Sequence, residues 1–142
     1  MQPVKILLVE DDPGHARLIE KNLRRGGIAN EIIFFDNGQG LIEYLEKGTC
    51  SRPAIGRALI LLDLNLPVMD GYQVLLRLKS GECTRKIPVI VLTTTDIPQE
   101  VAKCYEFGCN LFITKPVQYD ELCNMVKNLA VLLSVMQIPS LE

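Results

Sequence analysis

Four short stretches carry the residue types that could do chemistry, and each follows an apolar run. They are Glu10-Asp11-Asp12, Asp63-Leu64-Asn65, Thr93-Thr94-Thr95 and Lys115-Pro116. Acids brought together from two of these stretches would repel one another unless a cation sat among them. Carboxylate oxygens with a main-chain carbonyl suit Mg²⁺, a hard cation that keeps several waters and needs few protein ligands. Beside such a cation a carboxylate becomes a nucleophile, and aspartate carries covalent acyl-phosphate chemistry. Asp63 is the candidate, because five apolar residues before it fix its backbone in a strand. Lys115 then supplies a point charge and Thr93 a hydroxyl donor for phosphoryl oxygens. Asp12 reads differently: followed by Pro13, it is a helix N-cap with proline in the first turn.

Other chemistries find little support. The five cysteines (Cys50, Cys83, Cys104, Cys109 and Cys123) include no Cys-x-x-Cys pair, and His15 is the lone histidine, so zinc is disfavoured. They read as unpaired thiols, with Cys104 and Cys123 in helix cores. His15 reads as a bystander early in the first helix. No glycine-rich phosphate loop follows the first strand, which excludes a nucleotide on that helix N-terminus. No Ser/His/Asp or Cys/His arrangement is visible.

The 142 residues carry 15 Lys+Arg against 17 Asp+Glu, a formal charge of −2 that lacks the basic excess of a direct nucleic-acid binder. No uncharged apolar run reaches membrane-spanning length, and the N-terminus has no signal-peptide layout. A soluble protein with a cytoplasmic location is expected.

The elements that must position these residues alternate regularly. Val4 to Val9, Glu31 to Phe35, Ala58 to Leu62, Val89 to Leu92 and Leu111 to Thr114 read as strands. Helices are expected over Pro13 to Arg25, Gly38 to Lys47, Asp70 to Ser80, Pro98 to Phe107 and Gln118 to about Gln137, with a surface loop from Gly48 to Arg57. Five apolar strands alternating with five helices specify one α/β domain, a doubly wound parallel sheet covered on both faces. In such a sheet ligands gather beyond the carboxyl ends of the strands, where all four stretches lie.

These residues resemble the receiver domain of two-component response regulators across nearly the whole chain. The motifs are Ile6-Leu-Leu-Val-Glu10-Asp11, then Leu61-Leu-Asp63-Leu-Asn65-Leu-Pro67-Val-Met-Asp70-Gly71, then Pro88-Val-Ile-Val-Leu-Thr93, then Lys115-Pro116. The longer loop before the third strand and Leu92-Thr93-Thr94 look most like the small regulators paired with cyanobacterial phytochromes. The resemblance implies a flavodoxin-like strand order 2-1-3-4-5 and one receiver domain over 1–142, its core about 4–137. It implies that Asp63 accepts a phosphoryl group from a sensor histidine kinase, of phytochrome type. Glu10, Asp11, Asp63 and the carbonyl of Asn65 would hold Mg²⁺. Thr93 and Lys115 would engage the phosphoryl group, and Thr93 with Phe112 would form the switch. It also implies a cis peptide before Pro116. Thr94 departs from the small residue common in the family, and with Asn65 and Thr95 is expected to tune the lifetime of the phosphoaspartate.

After Gln137 only Ile138-Pro-Ser-Leu-Glu142 remain, so no output domain is expected, and the signal would leave through an unidentified downstream protein. On the last helix Leu122, Met125, Val126, Leu129, Leu133 and Met136 form an inward stripe, while Val131 and Val135 fall off it. Those valines make the last strand and helix a candidate homodimer face. The alternatives are a phosphorylation-independent pseudo-receiver that only binds partners, and a Mg²⁺-dependent phosphohydrolase. The second is disfavoured because Asp63-Leu64-Asn65 lacks another acid to activate water.

Overall fold

The computed structural model describes residues 3–48 and 56–140. The elements run β1 (Val4–Val9), α1 (Pro13–Arg25), β2 (Ile32–Phe35), α2 (Gly38–Gly48), β3 (Arg57–Leu62), α3 (Gly71–Ser80), β4 (Val89–Thr93), α4 (Pro98–Glu106), β5 (Leu111–Thr114) and α5 (Tyr119–Val135). All strand pairs are parallel, in the order β2-β1-β3-β4-β5. Parallel neighbours need crossovers, and the intervening helices supply them on both faces.

Alternation along the strands divides the core in two. Leu7, Val9, Ile60, Leu62, Val89 and Val91 face α2 and α3, meeting Leu41, Leu45, Val74, Leu75 and Leu78. Ile6, Leu8, Leu59, Leu61, Ile90 and Leu92 face α1 and α5, meeting Ile19, Leu23, Leu122, Val126 and Leu129. Each such side chain contributes about 1.5–3 kcal/mol on burial. Because both faces are apolar, the central strands read as unbroken hydrophobic runs over residues 6–9, 58–62 and 89–92.

Local chemistry sets the boundaries. Asp12 caps α1, its Oδ1 accepting from the Gly14 and His15 N–H groups at 2.8 and 3.2 Å. Asp70, expected as the first residue of α3, is instead its N-cap. Its carboxylate accepts from the Gln73 N–H at 2.9 Å while Gln73 Oε1 accepts from the Asp70 N–H at 3.0 Å, a reciprocal capping box. α5 stops at Val135, two residues short of the expectation, because Met136 turns extended and Ile138 folds back into the α1/α5 core. The sequence pattern gave no sign of a short 3-10 turn over Thr84–Lys86. Most of the expected loop over 48–57, with Cys50, lies outside the described residues.

Two expectations are corrected. Cys83 is disulfide-bonded, whereas Cys104, Cys109 and Cys123 are free and buried; the separation of cysteines along the chain does not report which of them approach in space. Among the described residues no peptide bond is cis, so Lys115–Pro116 is trans, the isomer that X–Pro bonds prefer by default.

Candidate functional site

Sheet register brings the first two acidic stretches side by side. Val9 pairs with Leu62, so Glu10 and Asp63 leave adjacent strands together. The Asp63 N–H still donates to Val9 O at 3.1 Å, and the Glu10 N–H to Phe35 O at 3.0 Å, which pins both backbones. Asp11, one residue on, is exposed. Carboxylate oxygens of Glu10, Asp11 and Asp63 all lie within 4.8 Å of one another. At an effective dielectric of about 20, each charged pair at that separation repels by about 3 kcal/mol.

Lys115 answers part of that charge. Its backbone N–H donates to Thr93 O at 2.6 Å, fastening the end of β5 to the end of β4. Its ammonium donates to Glu10 Oε2 at 2.9 Å and to Asp63 Oδ2 at 3.5 Å, all three side chains under a tenth exposed. Burial pushes the Glu10 carboxyl above its ordinary range, Lys115 pulls it back, and Asp63 raises it further. Glu10 Oε1 also accepts from the Asp12 N–H at 3.2 Å, and Asp63 Oδ1 from the Asn65 N–H at 3.1 Å. One ammonium against three carboxylates leaves a net negative cluster of hard oxygens, with no thiol or imidazole in it. That is a donor set for a divalent cation.

A second feature lies one strand along. Thr93 is fully buried and its Oγ1 has no hydrogen-bond partner. A buried hydroxyl left without a partner is costly, and it can donate to an acceptor that reaches it. It stands at the end of β4, between the strands that deliver Asp63 and Lys115. The carboxylates and Lys115 border a cavity of about 270 Å³ whose wall is completed by Asp12, His15, Asn65 and Thr94. His15, read from sequence as a bystander, is thus part of this wall. Position in α1 alone could not show it, because the wall is assembled from four loops.

Two backbone devices hold the β3–α3 loop. The Gly71 N–H donates to Leu64 O at 2.9 Å, and a Cβ at Gly71 would lie 2.5 Å from Leu64 Cα and 2.7 Å from Asp63 O. Only glycine permits that approach. The Met69 N–H donates to Pro67 O at 2.7 Å across Val68, whose φ is +66°; this tight γ-turn is strained for a β-branched residue. Phe112 is half-buried against the α2/α3 core, and its N–H donates to Tyr105 Oη at 3.1 Å.

The geometry therefore brings Glu10, Asp11, Asp63, Asn65 and Lys115 to one cavity, buries Thr93 at the end of β4, and leaves Phe112 within β5, three residues before Lys115. Comparison with known proteins is consistent with it. Residues 6–127 match the response regulator receiver domain. A receiver domain from Rhodospirillum rubrum is 46% identical, superposes with a TM-score of 0.89 and covers 97% of this chain and 99% of its own. Response regulator Rcp1 of Synechocystis sp. is 35% identical over 127 residues, 89% of this chain and 86% of Rcp1. Its Mn²⁺-bound structure superposes with a TM-score of 0.84 over 97% of this chain and 99% of that one. The phosphorylated cyanobacterial phytochrome response regulator RcpA is 35% identical, with a TM-score of 0.83 over 96% and 98% of the two chains. This chain belongs to the response regulator receiver domain family and is a phosphoacceptor signalling protein of two-component phosphorelays.

Proposed function

We propose that Asp63 is the phosphoacceptor and that the donor is a phosphohistidine on a sensor kinase. An Asp63 carboxylate oxygen attacks phosphorus, the P–N bond breaks, and the electron pair returns to the imidazole nitrogen. Lys115 steadies the phosphoryl oxygens from the Asp63 side, and the Thr93 hydroxyl donates to another of them. Glu10, Asp11 and Asp63, with the Asn65 carbonyl, would hold Mg²⁺, which offsets phosphoryl and carboxylate charge during transfer. In the reverse phase water attacks phosphorus and the Asp63 carboxylate leaves, a step this protein assists through the same groups. Asn65, Thr94 and Thr95 tune its rate.

The single observation that carries this reading is the buried ammonium of Lys115 shared between Glu10 and Asp63, at the strand end next to the one that carries the buried, partnerless Thr93 hydroxyl. A pseudo-receiver that only binds partners would gain nothing from such an arrangement. The signal leaves by a change of partner, with Thr93 and Phe112 moving together. Val131 and Val135, 62% and 70% exposed, make the α5 face a homodimer surface or the seat of a downstream protein. Similarity to the phytochrome response regulator RcpA supports a phytochrome-type kinase, and a cytoplasmic setting goes with that reading. Among the described residues no helix is long and apolar enough to cross a membrane.

Intact mass after incubation with acetyl phosphate and Mg²⁺ tests the proposal. One phosphoryl adduct is expected, lost in Asp63→Asn and in EDTA. No adduct on folded, metal-bound protein would leave the binding-module reading in its place.

A further inference from the structure

α4 is weakly anchored by apolar contact. Of its nine residues only Cys104 is buried, against four in α1 and five in α5. Its placement therefore leans on polar and ring contacts. Lys103 Nζ sits 4.3 Å from the Tyr72 ring centre and 5.5 Å from that of Phe107, tying α4 to α3. Tyr105 receives the Phe112 N–H from β5. The shortest tie is at the start of the helix, where Thr95 Oγ1 donates to Glu100 Oε2 at 2.5 Å.

Thr95 is a node. Its hydroxyl oxygen also accepts from the Ile97 N–H at 3.4 Å, and its carbonyl accepts from Thr114 Oγ1 at 3.1 Å. Thr95 stands two residues beyond Thr93, whose hydroxyl is unpaired while that of Thr95 is engaged twice. A phosphoryl group on Asp63 would offer Thr93 new acceptors, and turning toward them draws on the chain that leads to Thr95. The Thr95–Glu100 bond opposes that movement.

We propose that Glu100 is a positioning residue that, through Thr95, holds the segment 93–97 in its unphosphorylated arrangement and so sets how readily the protein commits to the phosphorylated one. This inference rests on the reading of Asp63 as phosphoacceptor. A ligand that favours one of two arrangements binds more weakly in proportion to the bias against that arrangement. Freeing the latch should therefore tighten binding of a phosphoryl mimic without changing the metal site.

The test uses beryllofluoride with Mg²⁺, followed by fluorine NMR, and Mn²⁺ affinity by electron paramagnetic resonance without beryllofluoride. Glu100→Ala and Thr95→Val are each expected to raise beryllofluoride affinity about three- to tenfold, the scale of one intramolecular hydrogen bond. Thr95→Val also removes the acceptor of the Ile97 N–H, and Glu100→Ala the carboxylate facing Tyr72. The double variant should therefore fall clearly short of the sum of the single ones, the shared bond being lost once. Mn²⁺ affinity should stay at the parent value, which a general loosening of the site would lower. Unchanged or weakened beryllofluoride affinity in Thr95→Val, or additive effects in the double variant, would overturn the proposal. A parent protein that binds Mn²⁺ but no beryllofluoride would instead refute the phosphoacceptor reading, and the latch with it.

Discussion

Replacing Lys115 by methionine removes the ammonium and keeps most of the side-chain volume. That ammonium lies 2.9 Å from Glu10 Oε2 and 3.5 Å from Asp63 Oδ2, in a setting where none of the three side chains exceeds 9% exposure. Deleting one partner of a buried pair costs about 3–5 kcal/mol, chiefly from the charge left behind. Because the cavity admits water beside exposed Asp11, the lower end applies, about 3 kcal/mol without divalent cation at neutral pH. Two remedies are open to the variant. A cation bound at a hundred times its dissociation constant stabilises the folded state by about 2.7 kcal/mol, and the variant's more negative cluster should bind Mg²⁺ more tightly than the parent's. A proton is the other. Burial already raises the Glu10 carboxyl and Lys115 lowers it, so loss of Lys115 raises it further. A carboxyl whose folded pKa exceeds its unfolded one favours folding when protonated. The variant should gain stability as pH falls from above its raised folded pKa toward 4.5, and lose that gain as pH rises back through the folded value. Urea unfolding at pH 5 and 7.5, each in EDTA and in Mg²⁺, reads all four combinations. A Lys115→Met protein as stable as the parent in EDTA at pH 7.5 would refute the electrostatic argument. So would a deficit that neither Mg²⁺ nor acid narrows.

Three other outcomes follow from the same geometry. Gly71→Ala places a Cβ within 2.7 Å of the Asp63 carbonyl oxygen and should cost about 2–3 kcal/mol in urea unfolding; a neutral result would mean the β3–α3 loop yields easily. Val68→Gly should stabilise by about 1 kcal/mol by relieving a +66° φ at a fully solvated site, and a loss of stability would show that the turn is unstrained. Cys104 is buried, its thiol pushed up to about 11 mainly by desolvation, so iodoacetamide at pH 8 should label it at least about a hundredfold more slowly in folded than in urea-unfolded protein, as peptide mass mapping would show.

The strands were legible because a doubly covered parallel sheet leaves no polar alternation to confuse the reading: Leu59 to Leu62 and Val89 to Leu92 could only be central. Strand ends then located Glu10, Asp63, Thr93 and Lys115, since function in this architecture collects beyond the carboxyl edge. What sequence could not show were relations between loops. Lys115 reads from sequence as a charge for phosphoryl oxygens, yet the shortest bond of its ammonium is to Glu10, a contact 105 residues apart along the chain. His15 occupies the cavity wall for the same reason, and the Thr95–Glu100 bond depends on where α4 settles. The Val68 turn was hidden because a valine gives no warning of positive φ, where glycine or asparagine would have. Cys83 shows the limit plainly, since bonding between cysteines follows from loop placement and not from their number.

The most direct measurement locates the phosphoryl group itself. Protein treated with acetyl phosphate and Mg²⁺ is reduced with borohydride, which converts an aspartyl phosphate to homoserine, and its peptides are sequenced by mass spectrometry. The account predicts homoserine at position 63 alone, absent when EDTA is present during phosphorylation. Homoserine at position 11 or 12, or a phosphoryl group retained on Thr93 or His15 with Asp63 intact, would contradict it.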